Sequence, residues 1–364
     1  MRVLAKPIPD ATLNLLTDII RRETPTGGAI SFARFMELAL YCPQHGYYER
    51  KRDTLGQAGD FYTSVSVGPL FGQLLAFRFA SWLEKPGTDR PQIAEAGAHD
   101  GRLAADILGW LKLNRPGFFA RLEYLIIEPS ARRRQWQQET LAEFTGTVRW
   151  LDSLAGSQVN GGIFSNELLD AFPVHRFAWD AIEKKWYEQG VTTENGELAW
   201  TRMPDCEFKS PNPELEPVLP DGFVVETCPA ATAWWMQAAN SLVAGKLLTI
   251  DYGLTAEELF RPEHYNGTLR AFHRHRASDD LLDKAGEQDL TAHVNFSTIQ
   301  AAGESAGLKT EDFLTQPQFL TRILAEAVKD KSFTGLDAKQ VRQFQTLTHP
   351  EHLGRAFRVL VQTK

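Results

Sequence analysis

From residue 31 the apolar positions recur every third or fourth place. Ser31 is followed by Phe32, Phe35, Met36, Ala39 and Leu40, one face of an amphipathic helix with the serine as its N-cap. A stretch rich in glycine, aspartate and hydroxyls comes next, CPQHGYYERKRDTLGQAGDFYTS. Pro69 then opens a helix apolar around most of its circumference, through Leu70, Phe71, Leu74, Leu75 and Trp82. Near residue 91 the period changes. The short apolar runs QIAEAG, LEYLIIE, TVRWLD, GGIFSNE and later KLLTIDYG alternate with helical stretches, the pattern of βαβ units and so of a parallel sheet. Between the fourth and fifth runs, VHRFAWDAIEKKWYEQGVTTENGELAWTRM alternates as antiparallel strands do, with Asn195-Gly196 as a hairpin turn. This predicts an insertion that forms a lid or substrate platform. Beyond Gly253 a second hairpin, GTLRAFHRHR, helical stretches and a terminal run RAFRVLVQTK complete one mixed α/β core, with additions before it and within it.

Composition narrows the classes. The 364 residues are 43% hydrophobic and 23% charged, as in a globular chain, and 39 Lys plus Arg against 46 Asp plus Glu leave a net charge of −7. That sign repels a phosphate backbone, so no nucleic-acid partner is expected. Cys42, Cys206 and Cys228 form no CxxC pair, which excludes a disulfide framework or zinc ribbon and reads as reduced cytosolic thiols. The first residues lack an apolar leader, and the most apolar later stretch, GPLFGQLLAFRFASWL, is interrupted by Arg78. The expectation is a cytoplasmic protein without a membrane segment. No GxSxG, HExxH, P-loop or Cys-His arrangement is visible.

In an open parallel sheet, ligands bind beyond the carboxyl ends of the strands, and here those ends are acidic: Glu95, Glu128, Asp152, Glu167 and Asp251. Gly97 and Gly101 after the first run permit a tight strand-to-helix turn, a feature shared by nucleotide sites, flavin sites and purely structural turns. A dinucleotide pyrophosphate would sit poorly behind Glu95, whereas S-adenosylmethionine carries a sulfonium and an ammonium and no phosphate. On this reading Glu128 accepts from the ribose hydroxyls, Asp152 from the adenine amino group, and Glu95 binds the methionine ammonium through water. Asn166-Glu167-Leu168-Leu169-Asp170 places two carboxylates three apart on one face of a turn that Pro173 ends. Such a pair either grips a guanidinium or compensates a helix dipole.

Other polar clusters read more plainly. His273 and His275, with His293 in a later block, have no clear carboxylate or cysteine ligand at metal-like spacing, so no metal is expected. Arg132, Arg133 and Arg134 read as a solvated helix face, His349 and His352 as surface residues, and Trp234 and Trp235 as packing.

Taken together, ISFARFMELALYCPQHGYY, GDFYTS with FGQLL, EAGAHDGRLAADIL, IIEPS followed by Gln135, SNELLDAFPVHRF, LTIDYG, GTLRAF, DLTAHVNF and HPEHLGRAFRVL resemble the MidA type of S-adenosylmethionine-dependent methyltransferases. A mitochondrial member of that family is the arginine methyltransferase that assists assembly of respiratory complex I. The resemblance implies a Rossmann-like, seven-strand class I core over 89–174 and 244–364, an N-terminal helical extension with a cofactor-side loop over 1–88, and an inserted substrate region over 175–243. It further implies that Gly59, Asp60, Thr63 and Ser64 lie near the cofactor's amino-acid end. By the same resemblance Gly97 and Gly101 are expected in its glycine loop, and Asn166, Glu167 and Asp170 are expected to do the catalytic work on an arginine of a partner protein, such as a respiratory-complex subunit. His99 stands where the family usually has a glycine. A non-catalytic assembly factor on the same fold, and more remotely a nicotinamide-dependent oxidoreductase, remain alternatives.

Overall fold

A computed structural model describes residues 11–24, 28–50, 63–84, 89–204, 206, 208–273, 276–333, 335–350, 352–354 and 356–364. The chain divides into two units. The larger comprises Arg52–Asp170, Pro229–Glu258 and His293–Lys364, and the smaller comprises Met1–Lys51, Ala171–Cys228 and Leu259–Ala292.

The larger unit is built on seven main strands, β1 (Gln92–Ala96), β2 (Glu123–Ile127), β3 (Val148–Leu151), β4 (Val159–Asn166), β5 (Leu242–Leu254), β6 (Lys309–Thr315) and β7 (Phe357–Thr363), with a two-residue strand, Val294–Asn295, paired parallel to the end of β5. Their spatial order is β6-β7-β5-β4-β1-β2-β3. Only β7 runs against its neighbours. This is the Rossmann-like class I architecture expected from the sequence. The chain winds outward from β1 to β3 and then returns to place β4 on the other side of β1. The β1/β4 junction is therefore the topological switch point.

Helices cover both faces, so the inner strands are buried on both sides and read as continuous apolar runs. Helix α1 (Leu70–Leu83) is apolar nearly all round because it is enclosed. Leu70, Phe71, Leu74, Leu75 and Phe79 are fully buried, and Phe79 packs on Phe164 of β4 with ring centroids 4.9 Å apart. Two further helices frame the switch point, α2 (Arg102–Asn114) after β1 and α3 (Ala131–Thr140) after β2.

In the smaller unit the strands His175–Asp180, Lys185–Glu194, Glu197–Arg202 and Val224–Thr227 form an antiparallel sheet joined by Ile30–Ser31. The Asn195-Gly196 turn takes φ of +50° and +87°, the left-handed pair that a tight two-residue hairpin needs. Helix Phe32–Tyr41 begins where expected, with the Ser31 hydroxyl accepting from the Arg34 N–H, and it buries Phe32, Phe35, Met36, Ala39 and Leu40.

Membership of the units differs from the linear division expected above. Residues 63–84 group with the seven-stranded sheet because α1 is a core helix. The helix Pro229–Ser241 does so as well, since the buried Trp235 indole donates to Gln362 of β7 at 2.8 Å. Residues 259–292 instead join the smaller unit, where Arg270–His273, Arg276–Ser278 and Asp289–Thr291 make a three-stranded sheet. No described helix is long and apolar enough to cross a membrane.

Candidate functional site

The loop that leaves β1 turns back at once into α2. Gly97 has φ +77°, and a Cβ there would lie 2.9 Å from Leu168 Cδ1; Gly101, the N-cap of α2, has φ +87°. His99 shares the left-handed conformation at φ +45°, which costs a β-carbon-bearing residue about 1 kcal/mol. This explains why a glycine suits the position. The His99 carbonyl accepts from Gln137 Nε2 at 3.0 Å, and its imidazole lies beside Asp100 and, at 6.5 Å between ring centroids, Trp136. Burial raises the Asp100 carboxyl, but the adjacent His99 and Arg102 more than offset it, so Asp100 ends below its ordinary value.

The strand-end acids are held in different ways. Glu95 is 2% exposed and accepts from the Tyr124 hydroxyl at 2.6 Å. Burial pushes its carboxyl up to about 7, against the opposing pull of that hydrogen bond. Glu128 is equally buried. Its Oε1 accepts from Ser130 N at 2.9 Å and Arg133 Nε at 3.0 Å, and its Oε2 from Gln137 Nε2 at 3.2 Å. Asp152 is 85% exposed and pairs with Arg134. The expected solvated face of arginines is thus corrected: Arg132 is exposed, while Arg133 turns inward to Glu128 and Arg134 pairs with Asp152. The cause is that α3 starts three residues after Glu128, so its first turn lies beside carboxylates that attract the guanidinium groups.

Past β4, Glu167 adopts φ +49° and its N–H donates to Ile250 O at 2.9 Å. Its Oε1 accepts from Ser64 N at 3.1 Å and Asn166 Nδ2 at 3.0 Å. Ser64 starts the short helix Ser64–Val67, which Thr63 caps through a hydrogen bond from Ser66 N, and its hydroxyl donates to Gln316. Asp251, fully buried in β5, accepts from Leu168 N at 3.2 Å, Leu169 N at 2.8 Å and Tyr252 N at 2.9 Å. Its carboxyl is pushed upward by burial, with the backbone N–H groups opposing. Desolvation raises the partly buried Tyr252 phenol, and Glu167 and Asp170, the latter 4% exposed, lie close enough to add to that shift.

One atom in this cluster points to a ligand. Because Asn166 donates through Nδ2 to a carboxylate, its Oδ1 must be the acceptor end, and that oxygen is buried with no partner among the described residues. An orphaned acceptor beside two carboxylates, at the switch point and next to a tight glycine turn, fits a ligand with cationic donors.

Of the expected residues, Thr63, Ser64, Gly97, His99, Gly101, Asn166, Glu167 and Asp170 fall on the β1 and β4 loops and the segment bonded to Glu167, while Glu95 and Glu128 sit buried beside them. Asp152 stands apart in solvent. Gly59, Asp60 and His275 lie outside the described residues. His273 bonds Glu287 O, and no group of three or more His, Cys, Asp or Glu among the described residues is arranged to hold a metal. Sequence reasoning misses two residues, Gln137 and Tyr124, and the role of a third, Arg133. Gln137, fully buried, ties His99, Glu128 and Trp150 together, whereas Gln135 is exposed. Tyr124 faces Glu95 across the strands, and Arg133 faces Glu128. A lone glutamine in a polar helix gives no periodic signal, and cross-strand pairing is not written in either strand alone.

Residues 74–314 match the family model described as "Putative S-adenosyl-L-methionine-dependent methyltransferase". A Burkholderia thailandensis protein, crystallised with S-adenosyl-homocysteine bound, is 32% identical over 100% of this chain and 95% of its own, with a TM-score of 0.86. Among curated relatives, the Drosophila melanogaster "Protein arginine methyltransferase NDUFAF7 homolog, mitochondrial" is 26% identical over 377 residues, 94% of this chain and 83% of the relative. The Homo sapiens "Protein arginine methyltransferase NDUFAF7, mitochondrial" is 28% identical over 367 residues, 91% of this chain and 79% of the relative. These names correct the cytoplasmic expectation, since such relatives are named as mitochondrial. Reduced thiols report a reducing environment and not a particular compartment, so the inference from cysteine usage had no power to choose one. The match across two thirds of the chain, the seven-stranded order and the cation-friendly switch point lead to one conclusion: the chain belongs to this family of S-adenosyl-L-methionine-dependent methyltransferases.

Proposed function

We propose that the chain transfers the methyl group of S-adenosylmethionine to a guanidinium nitrogen of an arginine in a partner protein. The observation that carries this reading is the orphaned, buried Asn166 Oδ1, an acceptor that stands beside the carboxylates of Glu167 and Asp170. The names of the curated relatives support the same substrate class.

The cofactor supplies an electrophilic methyl on a sulfonium. The chain's residues supply binding, orientation and a place for the proton. Glu95 faces the methionine ammonium through water, Glu128 the ribose diol and Asp152 the adenine edge, while Gly97, His99 and Gly101 shape the loop and Thr63 and Ser64 buttress Glu167. The stretch holding Gly59 and Asp60 belongs to the same assignment. An arginine is a poor nucleophile because its pKa exceeds ~12. Carboxylates that accept from two of its nitrogens concentrate the lone pair on the third. Glu167 or Asp170 would accept the proton that the nitrogen gives up on being methylated. Asn166 Oδ1 accepts from the same guanidinium and fixes its plane.

The test is incubation of purified protein with labelled cofactor and cell extract, followed by mass spectrometry. Methylarginine in a protein is the expected product, with Glu167→Gln and Asp170→Asn each lowering the rate at least a hundredfold while retaining S-adenosylhomocysteine binding. Label confined to small molecules or nucleic acid refutes the arginine assignment. The left-handed His99 favours a second reading, a non-catalytic assembly factor, which predicts no label at all.

A further inference from the structure

Glu128, the acid assigned to the ribose, is already taken. A carboxylate has about four acceptor positions. Ser130 N and two Arg133 nitrogens, Nε and a terminal NH2, both at 3.0 Å, converge on Oε1, and Gln137 Nε2 takes one position on Oε2. At 2% exposure Glu128 has room for one more donor at most, and a vicinal diol brings two. The Arg133 side chain is itself 13% exposed, so the pair is shielded from competing water. Ser130 N and Gln137 are fixed, the first by the cap of α3 and the second by its bonds to His99 O and Trp150 Nε1. Arg133 is the ligand of Glu128 with a long, rotatable stem.

We infer that Arg133 competes with the cofactor's ribose diol for Glu128 and is displaced when the cofactor binds, so that this side chain sets the cofactor affinity. The inference rests on the assignment of Glu128 to the ribose. It makes Arg133 a positioning residue, one that acts on the cofactor through Glu128. In the resting protein the guanidinium neutralises a buried carboxylate; on binding, two hydroxyl donors replace it, and part of the binding energy is spent on the exchange. Arg134 holds the exposed Asp152 and contributes no such cost, because an exposed pair exchanges with water freely.

The test is calorimetry with S-adenosylhomocysteine and with its analogue lacking both ribose hydroxyls, on wild type, Arg133→Met and Glu128→Gln. The methionine keeps the apolar stem and removes the competitor. Arg133→Met is expected to tighten S-adenosylhomocysteine at least fivefold and to change the dideoxy analogue less than twofold. Arg133→Lys, which keeps the charge but loses the two-nitrogen grip, should fall between and serves if the methionine variant does not fold. Unchanged or weaker S-adenosylhomocysteine binding in these variants, or an equal gain for both ligands, overturns the inference. Glu128→Gln should weaken S-adenosylhomocysteine selectively. If it instead weakens both ligands equally or neither, the ribose assignment fails and the inference with it.

Discussion

Replacing Glu95 with glutamine tests how the protein tolerates an acid in the middle of its sheet. The carboxyl is 2% exposed, and burial lifts it from 4.5 to about 7, so the native state holds its proton more tightly than the unfolded chain does. Between those two values the unfolded state releases the proton and the native state keeps it, and stability therefore falls as pH rises through this window and levels off above 7. With 4.5 and about 7 as the two limits, the loss between pH 5 and pH 8 comes to about 2 to 3 kcal/mol. Glutamine mimics the protonated acid: its carbonyl still accepts from the Tyr124 hydroxyl, and it cannot ionise. The assay is urea unfolding of wild type and Glu95→Gln at pH 5 and pH 8 without cofactor. Asp106, also raised by burial to about 6, titrates in the same window in both proteins and cancels in the difference. The variant should gain about 2 to 3 kcal/mol on wild type between the two pH values. A difference independent of pH would refute the reasoning, because it would mean that Glu95 has the same proton affinity folded and unfolded.

Asp251→Ala strips the acceptor from three backbone N–H groups at the 168–169 turn and Tyr252, and at 1 to 3 kcal/mol for each unsatisfied buried donor it should cost at least about 3 kcal/mol in denaturant unfolding; a loss under 1 kcal/mol would show the turn to be self-supporting. His99→Gly removes a left-handed β-carbon, and S-adenosylhomocysteine affinity should stay within about threefold. A tenfold gain, about 1.4 kcal/mol, would show that the imidazole occupies cofactor space and would favour the non-catalytic reading. Asp152→Asn keeps an acceptor oxygen for the adenine amino group and removes only an exposed charge, so it should change cofactor affinity by about threefold or less in calorimetry; a loss above tenfold would show that the charge itself is needed.

The sequence alone determined the parts that depend on local periodicity. The strands over QIAEA, EYLII, VRWL and VNGGIFSN, the Asn195-Gly196 turn, the Ser31-capped helix and the acids at the strand ends are all local signals, fixed by side-chain alternation, backbone φ preference and capping chemistry. The tertiary structure decided what each of those acids meets. Glu95, Glu128 and Asp152 look alike in sequence, one acid at the end of an apolar run. Yet one is neutralised by burial against a tyrosine, one is clamped by an arginine and a glutamine, and one lies in solvent, because the facing strand and the returning helix supply the partners. The orphaned oxygen of Asn166 is likewise a property of packing: it exists because Ser64, a hundred residues earlier, and Asp251, more than eighty later, hold the turn in which Glu167 takes a left-handed φ. Long-range pairing carries no period, and so it could not be read before the chain was folded.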